Sequence, residues 1–356
     1  MFLPVLLIRD YGNAAFWIFA VPNVIGAAAM GWVMRSPERS RAFVARHEFA
    51  VRAFTLVTVA FHAFFIGWIC QLKGDALWPV LAGFGMVAWM APLARRSVGA
   101  GALGTAVIAL LASAALGGAL LATLRRIDLA AIVDRRDDAA PTELMALTLV
   151  CGFGFLACPY LDATFHHARQ RLSAPAAARW GFGVGFGVVF AAMIGLSYAY
   201  ADVINLNATL RGVAGSLIVG HMVIQAAATV SLHLATSQPR WPRWTLLATA
   251  TAALGLMGGG WATDARQGEA VYRLFMGFYG LAAPAYVWIC AVGSRGTAPA
   301  RRDYMAFGAV TIVAAPFYWI AFVEGRLAWA AAGVIIALSG RFLASPTRKG
   351  LAAADE

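Results

Sequence analysis

One feature constrains this chain more than any other: apolar stretches of about 20 residues recur along almost its whole length, separated by short polar connections. A helix of that length matches the hydrocarbon thickness of a bilayer, and it satisfies its own backbone hydrogen bonds where no water can. A chain with 61% hydrophobic residues and 13% charged ones follows the same logic, and its mean hydropathy is +0.71. The expected fold class is all-α: a polytopic transmembrane helical bundle of about eleven spans.

The spans fall near 12–34, 49–72, 76–94, 100–124, 143–165, 180–201, 213–235, 244–262, 271–293, 304–323 and 327–344. Every second connection is basic. The set comprises residues 35–52 with five arginines, then Arg95 and Arg96, then Arg169, Arg171 and Arg179, then Arg240 and Arg243, then Arg295, Arg301 and Arg302, and last Arg341, Arg348 and Lys349. Basic short loops stay in the cytoplasm, so the N-terminus is expected outside and the C-terminus inside a bacterial cytoplasmic (inner) membrane. The arginine-rich, lysine-poor usage fits a GC-rich bacterial genome. The net charge of +11 is spread over these loops and forms no basic run interleaved with aromatics, so it points to the lipid bilayer as partner and not to nucleic acid. The apolar run Phe2–Ile8 is short and is followed at once by Arg9 and Asp10, which predicts no cleavable signal peptide. The organisation expected is an N-terminal membrane half (1–125), an extracytoplasmic connection (126–142), a C-terminal membrane half (143–344) and a cytoplasmic tail (345–356). Cys70, Cys151, Cys158 and Cys290 form no metal or disulfide spacing and read as small core residues.

The stretch Glu143–Arg171 breaks the rules of an ordinary span. Pro159 removes a backbone donor, so a helix there kinks or unwinds. Asp162 follows it, and a carboxylate at membrane depth costs at least about 2.5–3.5 kcal/mol. An acid beside a broken helix marks a functional site, with a surface kink capped by Asp162 as the plainer reading. Sliding the chain by 137 residues lays Pro22 over Pro159, and paired prolines in corresponding spans point to a transporter binding site unless they are merely common membrane-helix residues.

GFLACPYLDATFHHA resembles the sixth core helix of the sodium:solute symporters, and PAAARWGFGVGF the start of the next one. VPNVIGAAAMG is similar to the break in that family's first core helix, and AAATVSLHL to its eighth. The resemblance implies a broken-helix core of the amino acid–polyamine–cation superfamily, with solute and ion held by freed backbone around Pro22, Asn23, Gly26, Pro159 and Tyr160. This chain departs from the family in placing four spans, not five, before the second break. Charge counting makes spans one and five parallel, whereas inverted repeats need opposite directions. Thr229 and Ser231 are a poor sodium-site pair.

His221, Gln225, Thr229 and His233 recur every four residues on an otherwise small-residue helix, a stripe that lines either a wet cavity or a helix–helix contact. Asp162 and His166, four apart, could share a proton or a metal, although an ion pair or a surface histidine is the plainer outcome. His62 is expected to make an interhelical hydrogen bond. The Gly-rich run WGFGVGFGVVF is expected to permit close helix packing and to bind no nucleotide. Tyr279, Pro284 and Tyr286 could kink their helix and line a pocket. No nucleophile elbow, metalloprotease or phosphate-loop motif is present, so no enzyme, catalytic residue, metal or cofactor is expected beyond a coupling H⁺ or Na⁺.

The leading expectation is a secondary transporter of a small organic solute, coupled to H⁺ or Na⁺ by alternating access. Asp162 would be the protonatable group and His221, Gln225 and Thr229 would line the path. The alternatives are a transporter-like sensor or assembly subunit that binds a solute without moving it, and an intramembrane enzyme using Asp162 and the histidines with a metal.

Overall fold

The computed structural model describes residues 2–74, 81, 83, 85–88, 100–123, 139–207, 210, 212–236, 242–262, 265–292 and 298–344. Every regular element among them is helical: α1 (Leu3–Val33), α2 (Pro37–Arg46), α3 (Glu48–Lys73), α4 (Ala100–Thr123), α5 (Pro141–Ala157), α6 (Ala163–Arg171), α7 (Pro175–Val184), α8 (Ala191–Asn207), α9 (Gly212–Thr236), α10 (Pro242–Gly260), α11 (Ala265–Gly277), α12 (Ala283–Tyr286), α13 (Arg301–Phe322) and α14 (Trp329–Leu343). Turns of π-helix join α7 to α8 over Gly185–Phe190 and flank α12 at Phe278–Ala282 and Val287–Ala291. Among the described residues seven helices are long and apolar enough to cross a membrane, and the apolar helices Val107–Thr123, Leu246–Gly260 and Trp329–Leu343 are shorter. The expected span at 76–94 lies largely outside the described residues, as do most of the 126–142 connection and the 345–356 tail.

Two compact units emerge, interleaved in sequence. One comprises Met1–Ala20, Arg52–Ala139 and Gly185–Phe275; the other Val21–Val51, Ala140–Val184 and Met276–Glu356.

In the first unit the helix begins at Leu3, well before the span expected from residue 12, and the charged pair Arg9-Asp10 lies inside it. Both charges are matched. Arg9 binds the two Glu269 carboxylate oxygens at 2.9 and 2.7 Å and Asp10 at 2.7 Å, while Arg273 bridges Glu269 at 2.6 Å and also reaches Asp10. Gly12 then leaves the helical conformation at φ 77°, a left-handed value that an L side chain resists. Phe2 packs against Phe65, Trp68 and Tyr272, with ring centroids 5.3–5.6 Å apart.

In the second unit α1 runs straight through Pro22 without the break expected there. A proline removes one donor and need not end a membrane helix when local adjustment re-satisfies the freed carbonyl. Gly26, one turn later, explains what this segment does instead: a Cβ there would lie 2.1 Å from the Phe155 carbonyl oxygen, so α1 and α5 meet backbone to backbone. The end of α1 at Met34 and Arg35 is tied to Arg169, which follows α5 beyond the break.

Pro284 also leaves its helix unbroken. The ladder slips into π turns on either side of it, and the Gly280 carbonyl, four residues back and left without its usual donor, accepts from the Tyr318 hydroxyl at 2.7 Å. The Gly-rich run behaves differently from the packing role expected of it. Around Gly185 and Gly187 there is open space, and the run forms the π turn between α7 and α8; only Gly183 makes a tight contact, where a Cβ would lie 3.0 Å from the Trp32 ring.

Candidate functional site

The break at Pro159 is real. α5 ends at Ala157, Cys158–Leu161 tighten into a 3₁₀ turn, and Asp162 turns extended at ψ 112° before α6 starts. The proline forces the interruption, and the Asp162 side chain seals it: Oδ1 accepts from the Thr164 N–H at 2.8 Å and from the Thr164 hydroxyl at 2.6 Å. Asp162 is half-buried and caps α6.

α6 packs on α2, a helix inside the basic connection 35–52. Its start was legible in Ser36-Pro37, since the Ser36 hydroxyl caps the Arg39 N–H at 3.2 Å and proline suits a first helical position. His166, expected at the surface or on Asp162, is 1% exposed and bonded elsewhere. Its Nε2 donates to the Tyr160 carbonyl at 2.8 Å, so its Nδ1 accepts from the Ser40 hydroxyl at 2.9 Å and the ring is neutral. Gln170 donates to the same Ser40 oxygen at 3.1 Å. Phe43 stacks on His166 with centroids 5.1 Å apart and touches His47, whose Nδ1 meets the Tyr286 hydroxyl at 3.1 Å. Burial holds the His166 imidazole below its ordinary range. Burial, with the Arg46 charge and His166 behind it, pushes His47 down to about 4.

Arg169 is fully buried. Its guanidinium donates to Met34 O, to Arg35 O at 2.6 Å and to Leu172 O at 2.6 Å, which caps the C-terminal end of α1 where the helix dipole favours a cation. The Ser40–His166 pair is sealed from solvent.

The second place of interest lies in the first unit, where a cavity of about 170 Å³ opens among α1, α3, α8, α9 and α11. Its wall is aromatic and soft: Phe2, Phe61, Phe65, Phe190 and Tyr272, with Met193 and Met222. His62, Gln225 and Thr229 supply the polar atoms beside Ala226. The His62 Nδ1 donates to the Thr58 carbonyl of its own helix at 2.8 Å. Gln225 donates through Nε2 to the Ser113 hydroxyl, which itself donates to Ala109 O at 2.5 Å. Thr229 donates to the Gln225 carbonyl at 2.9 Å.

The polar stripe on α9 therefore divides. Gln225 and Thr229 face the cavity, while His221, buried and outside the lining, pairs with the Tyr200 hydroxyl and leaves Nε2 without a hydrogen-bond partner among the described residues. Of the residues expected at a broken-helix site, Pro159, Tyr160 and Asp162 meet at the break, whereas Pro22, Asn23 and Gly26 lie in continuous helix. Sequence reasoning missed the aromatic half of the cavity, because a Phe in an apolar span gives no sign of which way it faces. Among the described residues no three His, Cys, Asp or Glu side chains stand close enough to hold a metal ion, and the four cysteines are buried thiols.

No family model, no curated protein and no solved structure matches this chain. The helices themselves define the class: seven apolar helices of bilayer-crossing length mark an integral membrane protein.

Proposed function

We propose that the protein is a secondary transporter of a small organic solute, driven by H⁺ or Na⁺, with the cavity of the first unit as its solute site. The observation that carries this reading is the cavity itself. Its walls come from helices long enough to cross a bilayer, and three polar side chains enter it where polar groups are costly unless used. At about 170 Å³ it suits a compact molecule slightly larger than benzene, for which a cavity of about 150 Å³ suffices.

The N-out, C-in arrangement is part of the proposal, and the contact between α2 and α6 supports it. Two basic segments assigned to the cytoplasm by charge pack on each other and therefore share one side. Cysteine-accessibility labelling that placed the 35–52 segment outside would overturn the topology. Asp162 is the proposed coupling acid: taking up a proton would weaken both bonds that cap α6 and loosen the break. Asp162→Asn should then retain solute exchange in reconstituted vesicles yet fail to concentrate solute. Unchanged accumulation would reduce Asp162 to a cap.

A solute screen by thermal shift, followed by counterflow in proteoliposomes, tests transport. Flux that Gln225→Met and Thr229→Val both abolish supports the reading. Binding at the cavity without flux would identify a solute sensor instead, and the cavity alone serves either.

A further inference from the structure

We propose that residues 3–11 form a gate on the cavity of the first unit, hinged at Gly12 and latched by the ring of Arg9, Asp10, Glu269 and Arg273. The gate presupposes that the cavity is the solute site and adds how entry to it is controlled.

The segment is mechanically separate from the rest of α1. Gly12, at φ 77° and ψ −168°, occupies a backbone region open essentially to glycine alone. The helical pieces before and after it can therefore swing about a single residue. Beyond Gly12, α1 keeps a length of roughly 30 Å, enough to cross the hydrocarbon layer without residues 3–11. Those residues are nevertheless folded inward: Pro4, Val5, Leu6, Leu7 and Ile8 are all buried.

The leading end of the segment belongs to the cavity wall. Phe2 lines the cavity and packs against Phe65, Trp68 and Tyr272, of which Phe65 and Tyr272 are wall residues themselves. The Leu3 backbone also bonds the Tyr272 side chain. A swing about Gly12 breaks these contacts, takes Phe2 out of the wall and opens the cavity on that side.

The trailing end carries the latch. Arg9 bonds Glu269 at 2.7 and 2.9 Å, Arg273 bonds Glu269 at 2.6 and 2.8 Å, and Asp10 joins the two arginines. Each charge thus touches two of opposite sign. Glu269 and Arg273 flank Tyr272 on α11, so seal and latch share one helix. The four side chains are 16–40% exposed, and ion pairs in contact with water are weak and screened by salt, as a latch that must open requires.

Reactivity of a cysteine in the wall tests the gate. Ala226→Cys, and separately Met222→Cys, are made in full-length protein whose four native cysteines are changed to alanine, and the probe is methyl methanethiosulfonate. Glu269→Gln should raise the labelling rate about fivefold or more, because it removes the charge shared by both arginines. With the ring intact, moving from about 0.01 M to about 1 M salt should also raise the rate, since the screening length falls from about 30 to about 3 Å. Glu269→Gln should respond less to salt. Ala248→Cys, buried in the same unit and outside the described lining, should react slowly throughout. Labelling in the wall that neither Glu269→Gln nor salt changes would overturn the gate. A parallel rise at position 248 would overturn it too, because that marks loosening of the whole unit. Neither result touches the solute assignment, which falls separately if Gln225→Met and Thr229→Val leave flux unchanged.

Discussion

Two side chains near α6 carry consequences out of proportion to their size. Arg169 satisfies three carbonyls from two separate segments with a single fork of donors. Arg169→Met strands those acceptors inside the protein and should cost about 3 kcal/mol, read as a fall of several degrees in the melting temperature in detergent. Arg169→Lys should recover little, since an ammonium cannot imitate the planar fork. His47 gives a second readout. Its folded-state pKa of about 4 lies below the value near 6.5 expected in an unfolded chain, so the unfolded state binds more protons as the solution acidifies. The stability due to neutral His47 is complete above about pH 6.5 and is lost progressively as pH falls toward about 4. Melting temperature should drop through that window, and His47→Gln should make the drop shallower; an unchanged slope would mean His47 is not the sensor.

Among the elements, α1 offers the sharpest contrast. Gly26→Val would drive side-chain atoms into the α5 backbone, and overpacking of that kind should cost about 1–3 kcal/mol or more because a carbonyl cannot rotate aside. Pro22→Ala should be neutral or slightly stabilising, since the helix is already continuous there and gains a hydrogen bond. Thermal unfolding of the two variants checks both expectations. The same helix shows what the amino-acid order reveals and what it hides. Bilayer-length apolar runs disclose helices at most expected positions, because that signal is local and summed over many residues. Pro159 and Pro22 look alike in sequence yet differ in outcome: Asp162 and Thr164, three and five residues on, cap the first interruption, whereas the same positions after Pro22 are Ile25 and Ala27. The π turns were invisible to a reading based on a 3.6-residue period. Gln225 and Thr229 could be found by their spacing, but the ring faces of Phe2 and Phe190 depend on which helices meet, and a single sequence does not encode that locally.

For the whole molecule, the interleaving of the two units means that neither is a contiguous piece of chain. The ion-pair ring shows how long the wait is, for Arg9 and Glu269 are 260 positions apart. A ribosome adding roughly ten residues per second needs on the order of half a minute to cover that distance. Throughout that interval nascent α1 carries Arg9 and Asp10 with only each other as counter-charges, without Glu269 and Arg273, and the aromatic wall around Phe2 lacks Tyr272. Ile8→Cys offers a reporter, since that position is 4% exposed in the finished protein. Chains arrested before residue 265 should react there with a membrane-impermeant maleimide, and full-length chains should not. Equal protection in both would mean that another segment holds this helix during synthesis. α1 is thus made long before the helix that secures it, and its ion pairs close only once α11 has left the ribosome.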